Sequence, residues 1–155
     1  MNIITIIQTA LTALNSESEL FLLERSRAEN EELNHTSDVV IVLPDWRGQS
    51  QFTQALEITT RRTYNIHFKT LDEWDNSDNN IPTSYESETS VDKIERMETL
   101  ANSVFYYIQK NSNLFPEIIK KLTWSIPRPI LRANNGTMTG VEVQLNITFK
   151  GERNC

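Results

Sequence analysis

Two histidines, one cysteine and four glycines leave little material for chemistry in this 155-residue chain. His35 falls in a charged stretch, and His67 lies between Ile66 and Phe68 on the polar side of an alternating segment. Zinc needs three or four N, S or O ligands at short spacing, and neither histidine has them nearby. Both read as surface or satisfied histidines. No G-x-S-x-G turn is present to present a nucleophile, although a Ser/His/Asp site assembled from scattered positions stays open, because its members need not be adjacent. Cys155 stands at the last position, a poor place for a nucleophile. A single cysteine excludes an intrachain disulfide and leaves the reducing cytosol as the default compartment. No catalytic, cofactor-binding or metal-binding residue is assigned, and the chain is not expected to be an enzyme.

The segment 72–90, DEWDNSDNNIPTSYESETS, is rich in Asp, Asn and Ser and holds no base. Asp72, Asp75 and Asp78 offer oxygen ligands, but a calcium loop of the EF-hand type needs alternating ligands, a central Gly and a Glu at its twelfth position. The Gly and the alternation are missing, so the segment reads as a solvated loop. Trp46 and Trp74 also fall in expected loops. Large aromatics are costly to leave wet and are enriched among interface anchors, so these two either fold back onto the sheet or reach a partner. Trp124, within an expected strand, reads as core.

The elements that would position these residues follow from periodicity. Ile3, Ile4, Ile6, Ile7, Ala10, Leu11 and Leu14 recur at helical spacing, so residues 2–14 form an amphipathic helix ended by Asn15-Ser16. ELFLLE (19–24) is short enough for a strand, while its Glu and Leu suit a helix. The charged stretch 25–38 reads as a solvated loop or a surface helix turn. VVIVLP (39–44) is a fully buried central strand stopped by Pro44, followed by turn chemistry at 45–51. Leu56, Ile58, Tyr64, Ile66 and Phe68 mark one long bent strand or two. Ser90, or Thr89 with Asp92 as its box partner, caps a helix buried along Val91, Ile94, Met97, Ala101, Val104, Phe105 and Ile108. A strand near 119–126 meets Pro127 and Pro129, which would force it to an edge or end it, and Asn135-Gly136 signals a hairpin turn. Then comes TGVEVQLNITFKG (139–151), where Val141, Val143, Leu145, Ile147 and Phe149 share one face and Glu142, Gln144, Asn146 and Thr148 the other.

The expected class is α+β: a single domain with an antiparallel or mixed β-sheet and two helices packed on one face. The formal net charge of −6 and the scattered bases, doubled only at Arg61-Arg62 and Lys120-Lys121, argue against a dedicated nucleic-acid binder. The first twenty residues have no basic n-region and too short an apolar run for a signal peptide or a membrane span. The sequons at Asn34, Asn135 and Asn146 therefore read as chance, and no membrane partner is expected.

The order of an N-terminal helix, a polar segment, the VIVLP strand, a long β stretch, an acidic loop, the METLANSVFYYIQ helix and a GVEVQLNITF strand resembles a known layout. It is similar to the tail-completion, tail-terminator and head–tail joining proteins of tailed bacteriophages, in particular small neck proteins of phages and prophages of Bacteroides-like hosts. The resemblance spans nearly the whole chain. It implies a structural virion protein that forms a ring of six or twelve copies in the neck or tail, joining portal to tail around the DNA channel. Partners would be further copies of the chain and neighbouring neck, portal or tail proteins, with DNA passing through unbound past an acidic wall. Assembly would take place in the host cytoplasm. The strand at 139–151 would lie at the sheet edge, covered by a neighbouring subunit. Loops 44–54, 72–90 and 128–138 would reach adjacent subunits or rings, with Trp46, Arg47, Trp74, Asp75, Tyr85, Arg128, Arg132 and Asn134 as candidate interface residues.

Two other classes compete. An adaptor would bind one protein partner through the 72–90 loop, and deleting that loop would abolish binding while sparing the fold. A small α+β enzyme would show a deep pocket with perturbed titratable groups.

Overall fold

The computed structural model describes residues 3–23, 25–30, 38–43, 47–52, 58–72, 89–115, 118–132 and 138–150. The chain is α+β, with a seven-stranded mixed sheet and two helices packed together on one of its faces. In chain order the elements are α1 (Ile3–Ala13), β1 (Glu19–Leu22), α2 (Arg25–Asn30), β2 (Val39–Val42), β3 (Arg47–Phe52), β4 (Ile58–Leu71), α3 (Ser90–Lys110), β5 (Ile118–Trp124), β6 (Arg128–Arg132) and β7 (Met138–Lys150).

α1 buries Ile3, Ile6, Ile7, Ala10 and Leu11, the stripe its spacing predicts. It stops where Asn15 takes φ 56°, a left-handed conformation that Asn tolerates and most residues do not. α3 begins at a full capping box: the Thr89 hydroxyl accepts from the Asp92 backbone N–H, and the Asp92 carboxylate accepts from that of Thr89. Met97, Ala101, Val104, Phe105 and Ile108 are buried along it, whereas Val91, expected in that stripe, is exposed in the first turn. Phe105 meets Phe68 edge to face at 5.6 Å and Trp124 at 5.7 Å, which ties α3 to both β4 and β5.

Two long hairpins make up most of the sheet. The first runs out along β2 and β3 and back along β4; the second runs out along β5 and β6 and back along β7. They join through β4 and β7, whose antiparallel ladder extends from Thr59↔Lys150 to Leu71↔Met138. Moving β4 along the chain so that Leu71 falls on Lys150 lays it over β7 and maps the β4–β7 ladder onto itself, while β2 and β3 fall on β5 and β6 with offsets of three and two residues. Tyr64, Ile66 and Phe68 then superpose on Val143, Leu145 and Ile147, all buried on the same face. The register therefore fits a two-fold relation between β4 and β7 that the sequence, which has no internal repeat, does not display. β1 adds a strand parallel to β2 at the far side, with α2 as the crossover between them.

Three expectations change. The strand ending at Lys150 is not at an edge: β4 pairs with it on one side and β5 and β6 on the other, so no neighbouring subunit covers it by strand pairing. Turn chemistry at 45–51 and a loop from 128 give way to strands at 47–52 and 128–132, because each pairs with a long strand already in place. Pro129 fits within β6 because no further strand lies beyond it among the described residues. Of the stretch 25–38, residues 25–30 form the surface helix turn, and Ala28 within it is fully buried.

Gly140 marks a close approach. A Cβ there would stand 1.8 Å from the Phe68 carbonyl oxygen and 2.8 Å from the Lys69 Cα, both backbone atoms of β4. Only glycine lets β7 pass at this point.

Candidate functional site

β2 is apolar on both sides, which requires cover on both faces of the sheet. Val40 and Val42 belong to the main core under α1 and α3. Val39, Ile41 and Leu43 join Ala28 and Met138 in a second, smaller core on the opposite face, beneath α2. This second face carries a cluster of titratable groups, His67, Lys69, Glu142 and Arg25, among the described residues.

His67 and Glu142 stand opposite each other in the β4–β7 ladder. His67 is 1% exposed rather than on the surface, and neither of its ring nitrogens makes a hydrogen bond. Its Nε2 lies 3.7 Å from Glu142 Oε1, beyond hydrogen-bond reach. Burial lowers its pKa, since an imidazolium there would lose its hydration. The direct partners of the carboxylate are the Arg25 guanidinium, at 3.3 Å, and that of Arg128. The His67 ring beside it, then Arg128 and Arg25, hold Glu142 at about 2 against the opposing pull of burial. Arg25 also reaches Glu29 one helical turn on, at 3.0 Å.

Next to this group Lys69 is fully buried, and its Nζ donates to the Ala28 carbonyl at 2.6 Å. Burial brings its pKa down to about 8. The arrangement fastens α2 to the sheet by a charge-assisted bond to a helix carbonyl and by an ion pair at the helix start. His67 and Lys69 are closed off from solvent, so the pair is an internal fixture and not an acid–base site facing a substrate.

A second polar group anchors α3 on the main face. Asp72 accepts from the Ser90 and Thr139 hydroxyls at 2.7 Å each and from Lys93 Nζ at 3.1 Å. Burial works against this carboxylate, but the three donors keep its pKa below the usual range. Arg96 extends the anchor to Asp38 at 2.7 Å and to the Thr70 hydroxyl at 3.1 Å. An open groove of about 570 Å³ between α1 and α3, lined by Ile4, Thr5, Thr9, Thr12 and Tyr107 among others, offers hydroxyls with no base beside them among the described residues. Among the described residues no three His, Cys, Asp or Glu side chains gather as metal ligands, and no helix is long and apolar enough to cross a membrane.

The sheet ends in two unlike edges. On one side β1, beyond β2, and β3, beside β4, are outermost among the described residues, with Leu22 of β1 57% exposed. On the other, β5 and β6 form a broken border carrying Ile126 at 88% and Leu131 at 62% exposure. Large apolar groups this open are the kind of surface that a partner covers.

Of the candidate interface residues, Trp46, Trp74, Asp75, Tyr85 and Asn134 lie outside the described residues. Arg47 falls in β3 opposite Thr63, and Arg132 ends β6. Arg128, exposed on β6, is brought to Glu142 and helps to hold the second-face cluster. Of these, Arg128 is placed in a defined side-chain contact. His67, Lys69 and Glu142 were not anticipated as a group. The available signal was the all-apolar VVIVL run, which needed cover on a face where His67 and Lys69 also had to sit. Comparison of the chain with protein-family models and with curated proteins finds no match.

Proposed function

We propose that this chain is a structural ring subunit of a tailed-bacteriophage neck or tail, acting as a head–tail connector or tail terminator around the DNA channel. The observation that carries the proposal is the pair of unlike sheet edges, each with exposed large apolar side chains. Two different sticky borders on opposite sides of one domain suit a heterologous, head-to-tail contact, and such contacts close into rings when the rotation fits. The layout resemblance points to the same assembly. Strand pairing over β7 is not part of it, since β7 is interior. A net charge of −6 suits a wall past which duplex DNA slides without adhering.

The test is the absolute mass of the purified protein by light scattering on a sizing column over a range of concentrations, together with cryo-microscopy of virions. The expected results are a discrete species of six or twelve copies and density at the neck or tail. A protein that is monomeric throughout and absent from virions overturns the proposal, as does density located away from the neck and tail.

A further inference from the structure

We propose that the subunit contact sets the acidic β1 border of one copy (Glu17, Glu19, Leu22) against the basic β5–β6 border of the next (Lys120, Lys121, Ile126). This rests on the ring reading above and adds to it which surfaces meet and why they meet head to tail.

The two borders carry opposite charge. The stretch 15–23, NSESELFLL, holds acids and no base, and the stretch 118–132, IIKKLTWSIPRPILR, holds bases and no acid. Glu17, Glu19, Lys120 and Lys121 are all exposed. In a chain of net charge −6, an acid-free border is a local departure that sets one edge apart from the other. Contact between two copies of the same border would set like charges against each other, which is strongly disfavoured at an interface. Contact between the two different borders pairs opposite charges and covers Leu22 and Ile126 together. Only the head-to-tail arrangement satisfies both conditions.

The β5–β6 border is also guarded against indiscriminate strand addition. Its register shifts at an irregularity between Ile119 and Lys121, two lysines stand there, and Pro127 and Pro129 cannot donate backbone hydrogen bonds. Side chains, and not an extended backbone ladder, therefore make the contact. It should weaken as salt rises.

The experiment is a charge swap read by light scattering at low salt, with circular dichroism as the fold control. Lys120→Glu/Lys121→Glu and Glu17→Lys/Glu19→Lys should each reduce the assembly to single chains. All four changes in one chain should restore the assembly of the unaltered protein. Ile126→Asp, at a side chain almost entirely in solvent, should shift association to at least about tenfold higher concentration without touching the fold. If the unaltered protein assembles but the four-fold swap does not recover it, and Ile126→Asp assembles normally, this interface is wrong and the ring reading stands on another surface. An unaltered protein that is monomeric at every concentration and absent from virions overturns both.

Discussion

The two faces of the sheet are built by different means. Under α1 and α3 the main face is packed with Ile, Val, Leu, Phe and Met, with polar groups at Asp72, Thr139 and Arg96 and where Asn102 and Gln109 of α3 bond to Trp124 and the Leu122 carbonyl. Under α2 the second face has a small apolar patch around Ala28, Ile41 and Met138, and beside it His67, Lys69 and Glu142 within the protein. The first face gains stability from area removed from water, about 25 cal/mol per Å². The second must offset the desolvation of buried ionisable groups by geometry, so it contributes less stability and more dependence on pH. A long amphipathic helix can cover a sheet by hydrophobic burial alone, whereas α2, six residues long, adds bonds from Lys69 and to Glu142 to its small apolar contact.

Substitutions separate these two modes. The largest effect belongs to Gly140→Ala, which strikes the ladder that both faces share; no backbone shift of a few tenths of an ångström relieves a 1.8 Å contact. A loss of more than about 4 kcal/mol in chemical denaturation is expected, and a near-neutral result would mean β7 can move away from β4. Phe105→Ala empties the main core between Phe68 and Trp124 and should cost about 3–4 kcal/mol by the same measurement, evenly across pH.

Lys69 tests the second face. Its pKa of about 8 in the folded chain lies below the unfolded 10.5, so the unfolded chain holds more protons between those values and stability should rise as pH climbs through that window. The gain should approach about 3 kcal/mol. Lys69→Met should flatten that rise while staying within about 1 kcal/mol of the parent at neutral pH.

Glu142→Gln should cost about 1–2 kcal/mol, since Arg25 and Arg128 are both partly in water and screen their loss. The folded pKa of about 2 lies below the ordinary 4.5, so this contribution is present above pH 4.5 and disappears as pH falls through 2; acid titration of the variant should lack that limb. The smallest effect is at His67. Because burial lowers its pKa, stability should decline as pH drops below 6.5, where the unfolded chain takes the proton first. His67→Leu should remove that decline, and an unchanged acid slope would show that the ring is protonated without cost.

Much of the main face was legible from the chain itself. The stripes of α1 and α3, the Thr89–Asp92 box and the alternation of residues 141–149 are local patterns, and local patterns survive into the fold. The second face was not legible because its parts are far apart: Arg25, His67 and Glu142 meet only through strand pairing. A charged stretch such as 25–30 gives no warning that its one Ala is the residue that docks. β3 and β6 read as turns because Gly48, Pro127 and Pro129 outweigh weak strand signals, and pairing to a long neighbour overrode local preference. The edge assignment of residues 138–150 failed for a related reason. A single sequence shows that a strand has two sides but not how many partners it will find.

The order of synthesis gives the interior position of β7 a temporal consequence. β4 is made early, yet one of its sides stays open until residues 138–150 emerge, nearly 80 residues after Leu71. At translation rates of about 5–20 residues per second, that leaves several seconds in which a half-built sheet is available to other chains. Contacts so distant in sequence also slow the search for the native pairing. An expression strain short of chaperones should therefore yield aggregates seeded by the first hairpin, and a faster supply of β7 in trans as a peptide should suppress them.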